Sequence, residues 1–329
     1  MVQDFKDMPD IAVEFLNYML TIKNKSIKTI QEYYYDLRTF FRYIKVTKYN
    51  ANEKDFEDIQ VNDISLDDIK KIDLTDLYSY MAFVSRDRDN TAVTRARKVA
   101  SLKSFYKYLH TKLKIIEYNP AAELDSPKIV KRLPRYLNLD ESVQLLNSVD
   151  GKKNVERDFA ILVLFLNCGL RLSELVGINV NHIRGDTLTV IGKGNKERTV
   201  YLNQACKDAI AAYLDKRNKM MNIKDPKALF LSERKTRISP KTVQYLVKKY
   251  IQASGLDPDK YSPHKLRHTA ATLMYKHGHV DIRALQAILG HESIATTEIY
   301  THIDEEHLRQ AVQSNPLSSI KPKEKTGNP

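Results

Sequence analysis

The segment SPKIVKRLPRYL, residues 126–137, is the feature that most constrains the fold of this 329-residue chain. It holds two prolines and four bases without an acid, and proline keeps such a stretch extended. A chain of this length also exceeds what one small hydrophobic core needs. The sequence therefore predicts two domains, residues 1–125 and 139–314, with a basic linker at 126–138 and a loose polar tail at 315–329.

The first domain is predicted to be helical. Residues 11–23 and 29–45 carry apolar side chains at helical spacing, and Ser26 is the predicted N-cap of the second of these helices. Residues 66–84 and 91–109 are helical in character as well.

The second domain is predicted to be mostly helical with a small antiparallel sheet. A helix begins near Leu139 with Asp140 as its cap, and the apolar run from Ala160 predicts a buried helix. Residues 187–202 alternate in the manner of strands on both sides of a glycine-containing turn, which predicts a β-hairpin. Helices are expected to follow as far as about Gln313, so the predicted fold class is mainly α.

The charge balance favours an anionic partner. The chain has 53 Lys and Arg against 41 Asp and Glu, a net charge of +12. Nucleic acid is the first candidate, although a basic surface kept for solubility would give the same balance. The candidate DNA-binding residues lie in the helix at 91–109 and in the linker: Arg95, Arg97, Lys98, Lys103, Lys128, Lys131, Arg132 and Arg135.

Cysteine usage and hydropathy predict the compartment. Cys168 and Cys206 lack CxxC spacing and fit a reducing cytoplasm, and Cys168 lies in an apolar run as a small buried residue. The N-terminus has acids where a signal peptide needs bases. No apolar run approaches the roughly 20 residues of a membrane span. We expect a soluble cytoplasmic protein without a membrane partner.

Common nucleotide and metal motifs are missing from the sequence. GKGNKER lacks the earlier glycine and the Ser or Thr after lysine that a Walker loop needs, and there is no GxGxxG. His264 and His268 have the spacing of a zinc pair, but Arg267 between them disfavours a cation. No acidic cluster suggests a two-metal nuclease. Any phosphate chemistry is therefore expected to proceed without a metal.

Two arginines and a histidine occupy positions suited to an oxyanion. Arg171 follows a glycine that interrupts an apolar helix, and Glu174 can either orient nearby basic groups or form a local salt bridge. His264 follows the proline that begins a helix, and Arg267 lies one turn later on the same face. Such a helix start suits an oxyanion, whereas a lone histidine there is more often structural.

Cleavage of a phosphodiester without a metal needs positive charge, a nucleophile and a proton donor. Two arginines can grip the non-bridging oxygens as the pentacoordinate transition state forms. A tyrosine suits covalent attack, because neighbouring cations lower the cost of its phenolate. A lysine on a mobile hairpin can protonate the leaving deoxyribose oxygen. These requirements favour a reactive role for Tyr300 over a role in the core.

The chain resembles the tyrosine recombinases and, within that family, the bacterial Xer recombinases, over nearly its whole length. The matching stretches are GLRLSEL (169–175), IGKGNKERTVYL (191–202), HKLRHTAATLM (264–274) and LGHESIATTEIYTHI (289–303). The resemblance implies Tyr300 as the nucleophile and Lys193 as the general acid. The complete catalytic set that it implies is Arg171, Lys193, His264, Arg267, His291 and Tyr300.

The resemblance also implies a C-shaped DNA clamp, made of a helical, SAM-like core-binding domain and a catalytic domain. It implies cleavage through a 3′-phosphotyrosyl link and exchange through a Holliday junction, with no cofactor. The implied partners are double-stranded DNA with a specific site, further copies of this chain or a paralogue in a tetramer, and a septal DNA translocase. Helix 303–313 is expected to dock on a neighbouring subunit or on its own domain. One departure is the acidic segment 47–68, which is longer than the linker of compact Xer proteins.

Three functions stay open at this point. The first is resolution of chromosome dimers, which the lack of an added N-terminal arm-binding domain favours. The second is integration by a phage or conjugative element with the same chemistry. The third is a non-catalytic DNA clamp, which the complete catalytic set disfavours. A type IB topoisomerase shares the tyrosine chemistry, but the linker at 126–138 and the tail at 315–329 resemble those of the Xer recombinases and disfavour this alternative.

Overall fold

The computed structural model describes residues 5–49, 51–52, 56–129, 135–151, 153–278, 280–291 and 293–297. It divides into two compact units, Met1–Lys131 and Arg132–Pro329, and each unit has its own hydrophobic core. The finer domain limits drawn from the sequence stay predictions. Within the residues described, none of the helices has the length and apolar character needed to cross a bilayer.

Every secondary-structure element that the structure describes in the first unit is a helix, as predicted. Its α-helices are α1 (Asp10–Thr21), α2 (Ile27–Tyr49), α3 (Leu66–Lys70), α4 (Leu74–Arg86) and α5 (Ala92–Lys107). A π-helical segment, Tyr108–Leu113, continues α5. The stretch at 66–84 forms two helices instead of one, because Ser65 and Asp73 each accept a backbone hydrogen bond in a capping box and so begin a new helix.

Aromatic side chains form the centre of the first unit. Phe15, Phe41 and Phe105 are completely buried. The Phe105 ring stands edge-on to the Phe15 and Phe41 rings, with centroid distances of 5.5 and 5.9 Å. Such pairs add about 0.5–1.5 kcal/mol each beyond the area that they bury. These contacts join α1, α2 and α5 into one core.

The acidic segment between α2 and α3 packs against α2. Val61 is buried, Lys45 pairs with Asp63 at 2.6 Å, and Arg42 pairs with Glu57 at 2.7 Å. The acids thus neutralise bases that α2 presents toward them. In its described part, the acidic segment thus packs within the first unit, which is the domain to which the sequence assigns it.

The second unit is also mostly helical. Its α-helices are α6 (Leu139–Asn147), α7 (Val155–Cys168), α8 (Leu172–Gly177), α9 (Gln204–Asn218), α10 (Pro240–Ala253), α11 (Pro263–His277) and α12 (Ile282–Leu289). Helix α7 carries the apolar run and is buried, as predicted, where it contacts α9 and α11. The predicted cap of α6, Asp140, is wrong. Asn138 caps this helix, because its side chain accepts a hydrogen bond from the Glu141 N–H and the Glu141 carboxylate accepts one from the Asn138 N–H.

The second unit contains a three-stranded antiparallel sheet in the order β1-β2-β3. Its strands are β1 (Ile183–Arg184), β2 (Thr187–Ile191) and β3 (Glu197–Tyr201). The hairpin of β2 and β3 confirms the predicted strand pair, with Val190 opposite Arg198 in the register. Strand β1 was not predicted, because two residues carry no readable alternation. The fold class, mainly α with a small antiparallel sheet, is confirmed.

Candidate active site

Two glycines end helices at the centre of the second unit. Gly169 ends α7 and Gly290 ends α12, with left-handed φ angles of +58° and +64°. A Cβ on Gly169 would lie 2.8 Å from Cδ2 of Leu289, and one on Gly290 would lie 2.6 Å from Cδ of Arg198. Both positions therefore require glycine. The last carbonyls of a helix lack partners within that helix, so two sets of free acceptors converge here.

Arg171 and Arg267 bind these carbonyl groups. Arg267 is only 4% exposed and donates to Gly169 O at 2.6 Å and to Leu289 O at 2.7 Å. Arg171, which precedes α8, donates to Gly290 O at 2.8 Å. Guanidinium groups are favoured at helix C-termini, where the partial charge of the helix is negative. The ends of α7 and α12 thus fix both predicted arginines.

The buried carboxylate of Glu174 ties the arginines together. Its Oε1 accepts from Nη1 of Arg171 at 2.7 Å, and its Oε2 accepts from Nη2 of Arg198 at 2.9 Å and lies 3.8 Å from Nη1 of Arg267. Burial alone would raise the pKa of this carboxyl, but the Arg171 N–H and the charge of Arg198 hold the pKa below its ordinary value. Removing a partner from a buried ion pair costs about 3–5 kcal/mol. Glu174 therefore has the orienting role that its spacing suggested, within a cluster of net positive charge.

Arg198 is a member of this cluster that the sequence analysis missed. It lies on β3, and its Nη1 donates to Ile288 O at 2.7 Å. Its Nε is buried and has no hydrogen-bond partner among the described residues. A signal was present in the sequence: strand alternation puts Arg198 on the same face as the buried Val200. An arginine on the apolar face of a hairpin needs a carboxylate partner, which here is Glu174.

His264 and His268 form a pair at the start of α11. Their Nε2 atoms are 3.0 Å apart, and their rings stand edge to face with centroids 4.4 Å apart. Desolvation, followed by the charge of Lys265, lowers the pKa of His264. Desolvation and the His264 ring lower the pKa of His268 to about 4. Both imidazoles are therefore neutral near pH 7 and offer one donor and one acceptor each.

His291 follows α12 and faces the arginines. Its Nδ1 lies 2.9 Å from Oγ1 of the buried Thr297, and its backbone N–H donates to Gln286 O at 3.1 Å. Desolvation, with the charges of Arg267 and Arg171, lowers its pKa to about 4. His291 is thus a third neutral imidazole, held at both its ring and its backbone.

Four predicted catalytic residues line one cavity of about 570 Å³: Arg171, His264, Arg267 and His291. An adjoining cavity of about 500 Å³ shares Arg171 and His291 and is also lined by Gly192 and Arg198. A larger cavity of about 650 Å³, at Arg157, is lined by none of these four. We identify the cavity with the four predicted residues as the candidate active site, although it is not the largest of the three. Its cations and neutral imidazoles together suit a phosphate anion under nucleophilic attack.

Lys193 and Tyr300 complete the predicted set but are described only in part. Lys193 begins a short 3₁₀ turn, Lys193–Asn195, at the tip of the β2–β3 hairpin, and Gly192 before it lines the adjoining cavity. The side chain of Lys193 lies outside the described part of the chain. Tyr300 and the predicted helix 303–313 also lie outside the described residues, and Thr297 is the last residue described before them.

The structure corrects one DNA-binding candidate, Lys98. Its side chain is buried, and its Nζ donates to Oδ1 of Asp36 at 3.1 Å. Burial lowers the pKa of Lys98, and the Asp36 charge opposes this shift. Lys98 therefore stabilises the first unit through this pair, and the prediction that it binds DNA is wrong.

The remaining candidates differ in how much of their charge is available. Arg97 is half-buried and pairs with Asp36 at 2.6 Å, and Arg95 donates to Oγ of Ser85 at 2.6 Å. Lys103 reaches the surface, where it donates to Ala122 O at 3.2 Å. Lys128 and Arg135 are exposed, whereas Lys131 and Arg132 lie outside the described residues.

Two family models match the chain. Residues 12–112 match the N-terminal SAM-like domain of phage integrases, and residues 135–307 match the phage integrase family. The chain is 57% identical over 311 residues to Tyrosine recombinase XerC of Caldanaerobacter subterraneus subsp. tengcongensis, a match that covers 94% of this chain and 88% of that protein. It is 33% identical over 305 residues to Tyrosine recombinase XerD of Proteus mirabilis, covering 91% of each.

Solved structures share the fold. The XerH site-specific recombinase bound to its palindromic difH substrate matches with a TM-score of 0.66 and 21% identity, covering 92% of this chain and 94% of that one. The Tn1549 transposon integrase in complex with transposon right end DNA matches with a TM-score of 0.68 and 18% identity, covering 92% and 98%. The chain belongs to the phage integrase family and, within it, is a Xer-type tyrosine recombinase, an enzyme that cuts and rejoins DNA at specific sites.

Proposed function

We propose that the cavity lined by Arg171, His264, Arg267 and His291 holds the scissile phosphate of one DNA strand. The observation that carries this proposal is the fixation of both arginines by groups of the protein itself. Helix-end carbonyls and Glu174 hold the two guanidinium groups beside one cavity. Positive charge that is fixed in advance costs no reorganisation as charge develops on the phosphoryl oxygens.

In the proposed reaction, Tyr300 is the nucleophile and Lys193 is the general acid. The Tyr300 oxygen attacks phosphorus, a phosphotyrosyl bond to the 3′ end forms, and the bond to the 5′ oxygen breaks. Lys193 donates a proton to the departing 5′ oxygen, which is a poor leaving group without one. The 5′-hydroxyl of another strand then reverses these steps, so that each exchange conserves the phosphodiester and leads through a Holliday junction.

The neutral histidines are assigned complementary roles. His264 can accept the phenolic proton of Tyr300 or donate to a phosphoryl oxygen, because its imidazole stays uncharged near pH 7. His291 is held by Thr297 and faces both arginines, which suits a donor to the second non-bridging oxygen. Before the attack, the arginines are thus the cations among the four predicted residues that line the cavity. If His264 accepts the phenolic proton, it becomes a cation during the step.

We further propose that the chain resolves chromosome dimers in the bacterial cytoplasm. Similarity to proteins named XerC and XerD over more than nine-tenths of the chain supports this role. The proposed assembly is a tetramer on two DNA sites, with this chain alone or with a paralogue, docked through helix 303–313 and activated by a septal DNA translocase. Integration by a mobile element is the second candidate, since the Tn1549 integrase shares the fold.

The proposed DNA surface uses those members of the predicted basic set that are exposed or only partly buried. Lys128 and Arg135 are exposed, and Lys103 is partly buried and bonds to a backbone carbonyl. Arg95 and Arg97 are also partly buried, and their guanidinium groups bond to Ser85 and Asp36. Lys131 and Arg132 stay in the proposal on sequence grounds alone. Each phosphate contact of this kind contributes to affinity without selecting a sequence.

A suicide substrate tests the enzymatic assignment. A nick near the cleavage point lets the short 5′-hydroxyl fragment diffuse away, which traps the covalent intermediate. The wild-type chain is expected to form a protein–DNA adduct on a recombination site, and Tyr300→Phe is expected to form none while it binds DNA normally. Tyr201→Phe, at an exposed tyrosine, is the matched control and should react like the wild type. Adduct formation by Tyr300→Phe would overturn the assignment of the nucleophile.

A further inference from the structure

The two cysteines of the chain meet inside the second unit, although 38 positions separate them in the sequence. Cys168 is the last residue of α7, and Cys206 lies in the first turn of α9. Their Sγ atoms are 3.7 Å apart, and both side chains are almost completely buried. Neither thiol contributes to the cavity of the candidate active site.

The two thiols differ in their electrostatic surroundings. Cys206 lies near the positive end of α9, where its N–H donates to Oδ1 of the N-cap Asn203 at 3.0 Å. The contact with Cys168 lowers the pKa of the Cys206 thiol. The same contact, together with burial, raises the pKa of Cys168, which lies at the negative end of α7. Because the start of a helix favours a thiolate and its end disfavours one, Cys206 is the thiol with more thiolate character.

We propose that Cys168 and Cys206 are an oxidation site, at which hydrogen peroxide converts Cys206 to a sulfenic acid and Cys168 then closes a disulfide between α7 and α9. The separation of the sulfur atoms requires an approach of about 1.7 Å to reach a disulfide length of about 2.05 Å. Rotation of two cysteine side chains supplies movement of this size. Because both thiols are buried, peroxide reaches them only when the second unit opens locally. The inference does not depend on the proposed roles of the catalytic residues.

The chemistry balances with peroxide as the oxidant. The Cys206 thiolate attacks one peroxide oxygen, so that an S–O bond forms, the O–O bond breaks, and the second oxygen leaves as water after it takes a proton. Sulfur loses two electrons in this step, and peroxide is reduced. The Cys168 sulfur then attacks the Cys206 sulfur, the S–S bond forms, and the hydroxyl departs as water with the Cys168 proton.

The disulfide would close a loop that contains Arg171 and the whole β2–β3 hairpin. Gly169, which follows Cys168 directly, provides the carbonyl that binds Arg267. A crosslink of this length restricts the unfolded chain and so stabilises the folded unit. The melting temperature of the oxidised protein is expected to rise by about 5 °C, and dithiothreitol is expected to reverse the rise.

The test treats the folded full-length protein with hydrogen peroxide, then alkylates it under denaturing conditions and analyses it by mass spectrometry. The wild type is expected to lose two hydrogen masses within one chain and to yield a joined peptide pair containing Cys168 and Cys206. Cys168→Ser is expected to accumulate a sulfenic acid that dimedone traps on Cys206. Cys206→Ser is expected to react about tenfold more slowly, because the remaining thiol, Cys168, lies buried at the negative end of α7.

Three results would overturn the proposal. One is a peroxide-treated folded wild type in which alkylation still finds both thiols free. Another is a crosslink that joins two chains in place of two helices of one chain. The third is equal trapping by dimedone in Cys168→Ser and Cys206→Ser, which would contradict the assignment of Cys206 as the thiol that is oxidised first. The double variant Cys168→Ser/Cys206→Ser controls for methionine oxidation and should show no change in melting temperature with peroxide.

Discussion

Arg198 joins three parts of the second unit through a single side chain. Its guanidinium contacts Glu174 in α8 and Ile288 at the end of α12, while its backbone lies in β3 of the hairpin that carries Lys193. Gly290 leaves room for this side chain, since a Cβ there would overlap it. Arg198 is therefore expected to position the hairpin against the arginine cluster without touching the substrate.

Arg198→Lys keeps the charge but loses the planar fork that binds two acceptors. We expect adduct formation on a suicide substrate to slow by about 10- to 100-fold, because small misplacements of catalytic groups cost rates of this order. DNA affinity and melting temperature are expected to stay close to those of the wild type. Arg184→Lys, at an exposed arginine of the same sheet, is the control. Equal rates for the two variants would remove Arg198 from the positioning role.

His291 makes the stability of the second unit depend on pH. In the folded chain its pKa is about 4, below the ordinary value near 6.5. Between about pH 4 and pH 6.5, the unfolded chain therefore binds a proton at His291 that the folded chain does not bind. The stabilisation is complete above pH 6.5 and is lost as the pH falls toward 4. The melting temperature of wild type is expected to decline more steeply over this window than that of His291→Gln, with a difference of about one proton taken up on unfolding. His277→Gln, at an exposed histidine, should follow the wild type.

Helix α5 shows how one element divides its bases between folding and binding. Lys98 is buried against Asp36, whereas Lys103 lies at the surface. The sequence predicts a basic helix, but it does not predict which of its bases are buried. The partner of Lys98, Asp36, lies 62 positions away in the chain. The burial of a single lysine depends on a partner that only the tertiary structure brings close.

A pair of substitutions on α5 separates these two roles. Lys98→Ala is expected to lower the free energy of unfolding by about 1.5–3 kcal/mol, because it removes one charged hydrogen bond from the buried Asp36 carboxylate, which keeps Arg97 as its other cation. Lys103→Ala is expected to leave stability within about 0.5 kcal/mol but to weaken DNA binding and flatten its salt dependence. Chemical denaturation and binding titrations at several salt concentrations measure both effects. A Lys98→Ala variant of unchanged stability would refute the buried pair.

On the scale of the whole molecule, the sequence predicted much of what the structure contains. The helical first unit, the β2–β3 hairpin and the contact between Arg171 and Glu174 all follow from local periodicity and spacing. Strand β1 and the Asn138 cap depend on a few residues with little local signal. Arg198 and the thiol pair depend on contacts between distant elements, which no single pattern reports.

The central claim is that Arg171 and Arg267, fixed by helix ends and Glu174, supply the charge that stabilises a phosphate under attack by Tyr300. A methylphosphonate at the scissile position tests this claim, because it replaces one charged oxygen with a neutral methyl group. Adduct formation by Arg171→Ala is expected to fall by at least about 100-fold on a phosphodiester, as a lost transition-state contact implies.

The decisive measurement is the adduct yield of Arg171→Ala on the methylphosphonate substrate. If Arg171 neutralises the oxygen that the methyl group replaces, Arg171→Ala should form the adduct at least about tenfold faster on the methylphosphonate than on the phosphodiester. The reason is that the methylphosphonate lacks the negative charge that the variant cannot balance. The rescued adduct should disappear when Tyr300→Phe is combined with Arg171→Ala. An Arg171→Ala variant that is equally slow on both substrates, although folded and bound to DNA, would contradict the account.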